Sequence, residues 1–92
     1  QLIINVVSDH FGVNPEDITP KKRNSEFVVP RQVVMYLCRE LTEISLVNIG
    51  KLLGKKDHTT IMHGVTKIAE EMNTNTELRN KVDTIKKKIN PS

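Results

Sequence analysis

Four consecutive polar residues, Asp57-His58-Thr59-Thr60, bring several kinds of hydrogen-bonding chemistry into one short stretch. A carboxylate can accept a hydrogen bond from a cytosine amino group, an imidazole can bond a base edge, and threonine methyl groups can pack on thymine methyl groups. Asp57 is also a good helix N-cap. The apolar residues after it recur at helical spacing and are Ile61, Val65, Ile68 and Met72. The pattern therefore predicts a helix that buries one stripe and leaves its polar N-terminal end free to enter a DNA major groove.

Two other interpretations of these residues are open. Asp and Thr are common in the first turns of helices for structural reasons, so the stretch could be capping chemistry alone. The sequence also contains groups that take part in nucleophilic or metal chemistry, namely Asp57, His58, His63 and Cys38. However, His58 and His63 are five residues apart, whereas two metal ligands on one helical face are usually four apart. We therefore expect neither an enzyme nor a metal site.

The segments that must hold this stretch in place are all predicted to be helices. They are residues 2–11, a single turn after Asn14-Pro15, Val28 to Thr42, Leu46 to Leu53, a helix from Asp57 to about Met72, and Thr76 to Ile89. A short apolar helix, the basic turn Gly54-Lys55-Lys56 and a second helix with a polar start are typical of a helix-turn-helix, here at about residues 45–72. We therefore predict one compact all-α domain over residues 1–92, with about five to six helices.

Helical periodicity also predicts which side chains face the core. In the first helix these are Leu2, Ile3, Val6, Val7 and Phe11. In the long helix they are Val34, Leu37, Cys38 and Leu41, with Gln32, Tyr36, Arg39 and Glu43 exposed. In the last helix they are Leu78, Val82, Ile85 and Ile89. Cys38 is the single cysteine of the chain, so it is predicted to be a reduced core residue.

The net charge of +3 is unevenly distributed along the chain. Residues 21–67 hold nine Lys/Arg and four Asp/Glu, which gives +5, whereas residues 1–20 sum to −3 and residues 68–92 to +1. The basic residues are thus concentrated around the polar helix start. A polyanion is the expected partner, and nucleic acid is the leading candidate. The sequence contains no recognisable signal peptide and no apolar run of membrane-spanning length, so a cytoplasmic location is expected.

Two longer stretches resemble one protein family. Residues 49–64, I-G-K-L-L-G-K-K-D-H-T-T-I-M-H-G, closely resemble the signature of the C-terminal DNA-binding domain (domain IV) of DnaA, the bacterial replication initiator. Residues 21–42, KKRNSEFVVPRQVVMYLCRELT, resemble the basic loop and long helix that precede this signature in the family. The resemblance covers nearly the whole chain and implies a Trp-repressor-like helix-turn-helix. It further implies sequence-specific binding of double-stranded DNA at TTATNCACA-type boxes of the replication origin, for initiation and regulation of chromosomal replication.

The resemblance also implies roles for individual residues. Major-groove base readers would be Asp57, His58, Thr59 and Thr60, with apolar base contact from Leu46 and Val47. Arg23 matches a loop arginine that enters the minor groove, where a guanidinium can bond the acceptors of A·T pairs. Phosphate contacts would come from Arg31, Gln32, Arg39, Thr42, Ser45, Lys56, His63 and Lys67. The chain departs from the family at Lys55-Lys56, where Gly-Arg is common, and at Val47, where a proline is often seen.

The resemblance places other functions of such initiators outside this sequence. The chain begins with Gln rather than Met, which suggests the C-terminal part of a longer protein. Initiators of this family carry an ATP-binding AAA+ domain, but no GxxxxGK[ST] occurs in this sequence. We therefore expect no cofactor here, with ATP and Mg²⁺ confined to that other domain. The fragment is expected to be monomeric, while the full-length protein would self-assemble on DNA, associate with acidic phospholipids and be nucleoid-associated.

Two alternatives to origin binding are open at the level of the sequence. Another helix-turn-helix protein, such as a repressor or a transposase domain, would differ in its target sequence. A module that binds a partner or a membrane surface could use the last helix, with Lys86, Lys87 and Lys88. Such a helix would need a larger exposed apolar face than Thr76 to Ile89 can spare.

Overall fold

The computed structural model describes residues 2–18, 27–54 and 57–90, which form six α-helices around one core. The helices are α1 (Leu2–Phe11), α2 (Pro15–Ile18), α3 (Val28–Leu41), α4 (Leu46–Leu52), α5 (His58–Thr74) and α6 (Thr76–Ile89). These described residues contain no strand, and the predicted all-α fold is confirmed. Each predicted helix is present, with ends that differ by at most two residues from the prediction.

Side-chain caps explain where three of the helices begin. Before α4, the Ser45 Oγ accepts a hydrogen bond from the Asn48 N–H at 3.2 Å. Before α5, the Asp57 Oδ1 accepts one from the Thr60 N–H at 2.8 Å. Asn75 caps α6 in the same way. Each cap satisfies a backbone donor that has no partner within its own helix. The cap role predicted for Asp57 is therefore confirmed.

The helix α3 lies at the centre of the domain. It packs most extensively on α5 and also contacts α1, α2 and α4, while α6 closes the core against α1 and α5. The fully buried large side chains are Ile18, Leu37, Ile49, Leu53, Ile61, Ile68, Ile85, Val7, Val33, Val34, Val82 and Cys38. The core is aliphatic because the sequence has only two Phe and one Tyr. Packing on α3 fixes which stripe of α5 faces inward, and so leaves the polar first turn outside.

Gly64 leaves room on α5 for the side chain of Met35 from α3. It is buried in the middle of α5, and a Cβ added there would overlap the sulfur of Met35 on α3. A glycine costs up to about 1 kcal/mol in a helix interior relative to alanine. The close approach of Met35 is the physical reason for a glycine at this position.

Three side chains lie elsewhere than helical periodicity predicts. Leu2 is predicted in the core but is 59% exposed, because it lies in the first turn of α1 at a surface groove that Ile44 also lines. Ile4 takes an inward position instead. Gln32 and Tyr36 are predicted to be exposed but are half-buried, since α3 is covered by neighbouring helices on more than one side. Tyr36 packs against the edge of the core.

The helix α5 continues two residues beyond its predicted end at Met72. Asn73 and Thr74, which lie between the two predicted helices, are still helical. The break falls at Asn75, whose N–H donates to the Glu71 carbonyl oxygen at 2.8 Å and whose side chain caps α6. One residue therefore ends one helix and starts the next.

Arg31 lies inside the fold rather than on its surface. The residue is only 8% exposed, and its Nε donates a 2.7 Å hydrogen bond to the Ile18 carbonyl oxygen at the end of α2. The side chain therefore ties α2 to the beginning of α3. Arg31 thus has a structural role in addition to the phosphate contact predicted for it.

Replacing Arg31 with Ala should destabilise the domain by about 1–3 kcal/mol, because the Ile18 carbonyl oxygen would lose a buried partner. Urea denaturation followed by circular dichroism measures this change in the free energy of unfolding. Arg39→Ala is the matched control, since Arg39 is exposed on the same helix and should change the free energy by less than about 0.5 kcal/mol. Equal stability of the two variants would contradict the structural role of Arg31.

Candidate nucleic-acid interface

The beginning of α5 brings the four predicted base readers together on the surface. Asp57, His58, Thr59 and Thr60 are all exposed. The next residue, Ile61, is fully buried. The first turn is thus held against the core at one point, while its polar side chains face solvent. Four readers on one short, anchored turn form a surface that can enter a major groove.

Asp57 both caps α5 and remains an acceptor. The backbone N–H and then the side chain of Thr60 make hydrogen bonds that lower the pKa of the Asp57 carboxyl group, so it is ionised at neutral pH. An ionised carboxylate has about four lone-pair sites, and the two hydrogen bonds from Thr60 leave others open. Because this pKa is lowered by folding, the stabilising contribution of the cap is present at neutral pH and is lost as the pH falls through the lowered pKa. The remaining lone pairs of the Asp57 carboxylate can still accept a hydrogen bond from a cytosine amino group.

The outer face of α5 continues the polar surface beyond the first turn. His63, Thr66 and Lys67 are exposed, whereas Ile61 and Ile68 face the core. His63 and Lys67 are four residues apart and therefore lie one above the other along the helix. A cation in this position is suited to bonding a phosphate group beside the groove.

The helix α4 presents a smaller apolar surface, and it packs against α5. Leu46 is half-buried and packs against the core, whereas Val47 is 53% exposed. Val47 stands where a proline is common in the resembled family. With Ser45 as its cap, α4 nevertheless begins as a regular helix at Leu46. Of the two residues predicted to make apolar base contacts, Val47 has the more accessible side chain.

The predicted phosphate contacts are found at different depths. Arg39, Ser45, His63 and Lys67 are exposed, Gln32 and Thr42 are half-buried, and Arg31 is buried as described above. The Thr42 hydroxyl donates to the Cys38 carbonyl oxygen and accepts from the Ile44 N–H, so it is already engaged at the end of α3. Arg23, predicted in the minor groove, and Lys56 lie outside the described residues.

The groups that could support enzymatic chemistry are dispersed in the described part of the chain. No three His, Cys, Asp or Glu side chains among those residues are grouped so that they could hold a metal ion. Cys38 is buried, as predicted, and burial raises the pKa of its thiol to about 11. A nucleophilic thiolate is therefore scarce there at neutral pH.

None of the described helices combines the length and apolar character needed to cross a membrane.

Sequence reasoning did not single out two residues of α5 that matter for this surface. Gly64 leaves room for the Met35 side chain, and the local sequence does not indicate that Met35 is its neighbour. Met62 is exposed in the second turn of α5. Its spacing of four residues from His58 is the signal that could have placed it on the same face.

A short helix, a Gly-containing turn and a capped second helix with an exposed polar start define this protein as a helix-turn-helix protein. Residues 1–68 match the family described as the bacterial dnaA protein helix-turn-helix. The chain belongs to that family.

Individual relatives extend this finding along the chain. The chromosomal replication initiator protein DnaA of Chloroflexus aggregans is 52% identical, over 97% of this chain and 19% of that protein. The same protein of Lachnoclostridium phytofermentans is 43% identical, over 99% of this chain and 20% of that protein. A crystal structure of a DNA replication initiation factor matches with a TM-score of 0.81 at 32% identity, over 94% of this chain and 26% of that chain. The chain therefore spans about one fifth of the length of these relatives.

Proposed function

We propose that this domain binds double-stranded DNA sequence-specifically at TTATNCACA-type boxes of the replication origin, and so serves the initiation and regulation of chromosomal replication. The observation that carries the proposal is the exposed beginning of α5, capped by Asp57 and anchored in the core by Ile61. Membership of the family supports it, because the relatives are named chromosomal replication initiator proteins.

Each side chain in this turn has a role that fits its chemistry. Asp57 accepts a hydrogen bond from a cytosine amino group, and His58 bonds a base edge. Thr59 and Thr60 offer methyl groups to thymine and hydroxyl groups to polar base edges. Val47, with Leu46 beside it, adds apolar contact from α4. Together these groups read the box in the major groove.

Further contacts position the domain on the duplex. Arg23 reaches the acceptors of A·T pairs in the minor groove, where a narrow groove attracts a guanidinium. The phosphate-contacting residues that we propose are Arg31, Gln32, Arg39, Thr42, Ser45, Lys56, His63 and Lys67. Contacts of this kind set register and orientation rather than sequence.

We also propose a place for this domain within a longer initiator. Residues 1–92 act as one monomeric, non-catalytic binding domain at the C-terminal side of that protein. ATP and Mg²⁺ are bound by a separate AAA+ domain, and self-assembly on DNA and association with acidic phospholipids belong to the full-length protein. The site of action is the bacterial cytoplasm at the nucleoid. The monomeric state fits the asymmetry of the box sequence.

A fluorescence-anisotropy titration tests the proposal directly. The domain is titrated against a TTATNCACA-type duplex and a scrambled duplex of equal composition at two salt concentrations. Preference for the box by about a hundredfold or more at both salt concentrations is the expected result. Equal, salt-sensitive binding to both duplexes would indicate a helix-turn-helix protein with another target. Absence of binding to either duplex would overturn the proposal.

Replacing Lys67 with Ala should weaken binding to all duplexes by a similar factor. If Lys67 neutralises one phosphate, the slope of log affinity against log salt concentration should fall by about one unit. Lys87→Ala on α6 is the control, because Lys87 is equally a surface cation but lies outside the helix-turn-helix. A slope that is unchanged in the Lys67 variant would place this residue outside the interface.

A further inference from the structure

The second turn of α5 exposes an apolar side chain that the roles above leave unused. Met62 is 40% exposed. It follows His58 by four residues and Thr59 by three, so the three side chains are neighbours on one face of the helix. Ile61 and Gly64 face the core, which directs Met62 toward the same solvent side as the base readers.

Helix geometry brings the end of this side chain toward the reading turn. Every Cα–Cβ bond of an α-helix tilts toward the N-terminus, and long side chains lie over the preceding turn. This geometry favours a position of the Met62 thioether over the preceding turn, on the side of His58 and Thr59. Methionine is also flexible and polarizable, so it can adapt its shape to a groove wall.

We propose that Met62 is a further specificity-determining residue, which recognises the C5-methyl group of a thymine in the box. The thymine methyl is the apolar feature of the major groove, and the other base-edge positions present hydrogen-bond donors and acceptors. An apolar side chain in the groove contributes most to the binding free energy beside that methyl group. Beside any other base edge it would leave a hydrogen-bonding group without a partner. The inference rests on the proposed function, since it requires the beginning of α5 to lie in the major groove.

Uracil substitution tests this inference at the level of one methyl group. Each thymine of the box duplex is replaced in turn by uracil, which lacks only the C5-methyl group, and every duplex is titrated by anisotropy. With the unaltered domain, uracil at the contacted position should weaken binding about fourfold, the affinity equivalent of burying one methyl group. With Met62→Ala this penalty should disappear, while the uracil penalties at other positions persist.

Two further variants control the measurement. Met62→Leu keeps an apolar side chain and should retain the penalty. Asn73→Ala alters an exposed residue on the same face, eleven residues further along α5, and should leave every uracil penalty unchanged. If Met62→Ala retains all the penalties of the unaltered domain, the inference is wrong. If the unaltered domain does not distinguish the box from a scrambled duplex, the proposed function fails and the inference fails with it.

Discussion

Replacing Asp57 with Ala should weaken binding to a TTATNCACA-type duplex by about 10- to 100-fold. The variant loses two contributions at once. One is the carboxylate that would accept from cytosine, and the other is the Oδ1 acceptor that caps the Thr60 N–H at 2.8 Å. Without the cap the first turn frays, and His58 and Thr59 lose the fixed positions that base readout requires. Affinity is measured by anisotropy, with a scrambled duplex as the reference for nonspecific binding.

Asp57→Asn separates the two contributions. Asn caps helices about as well as Asp does, so the first turn keeps its structure while the charge of the carboxylate is removed. We expect the affinity of this variant for the box to lie between those of the unaltered domain and Asp57→Ala. Circular dichroism reports whether helix content is retained. Unchanged box affinity in Asp57→Ala would remove this residue from both roles.

Replacing Ile61 with Ala should lower the free energy of unfolding by about 2–5 kcal/mol. Ile61 is 0% exposed and comes directly after the reading turn. A domain of ordinary stability has only about 5–15 kcal/mol in total, so the variant loses a large share of it. Urea denaturation followed by circular dichroism measures the effect. Box affinity should also fall, because the first turn of α5 loses its anchor in the core.

Met62→Ala is the matched control for this stability measurement. It removes a side chain of similar size one position further along α5, where the residue is exposed rather than buried. The free energy of unfolding should therefore change by less than about 0.5 kcal/mol. A similar loss of stability in both variants would contradict the assignment of Ile61 to the inner face and Met62 to the outer face.

The polar start of α5 could be predicted from the sequence because its causes are local. Capping depends on residues within one turn, so the caps of Ser45 and Asp57 follow from residue type and spacing. The side of α5 that faces the core follows from the spacing of its apolar residues, so the inward position of Ile61 could also be predicted. The roles of the individual base readers come from family resemblance and stay predictions.

Features that depend on contacts between distant segments could not be predicted in this way. The glycine at position 64 is explained by Met35, which belongs to another helix. Arg31 is predicted from the family resemblance to contact a phosphate, yet its Nε bonds the carbonyl oxygen of Ile18, thirteen residues earlier. Leu2 follows the periodic pattern of α1, but periodicity does not indicate how far neighbouring helices cover the first turn. Each of these outcomes depends on tertiary packing.

The single-residue junction at Asn75 has a mechanical consequence. Only this residue separates α5 from α6, so the angle between the helices depends on one pair of backbone dihedral angles. Because α6 also packs against α1 and α5, the two helices tilt together, and a tilt of α5 in the groove displaces the far end of α6. A fluorophore on Lys88→Cys, whose parent residue is exposed, would report that tilt by energy transfer to labelled DNA. The buried thiol of Cys38 would compete little for the label.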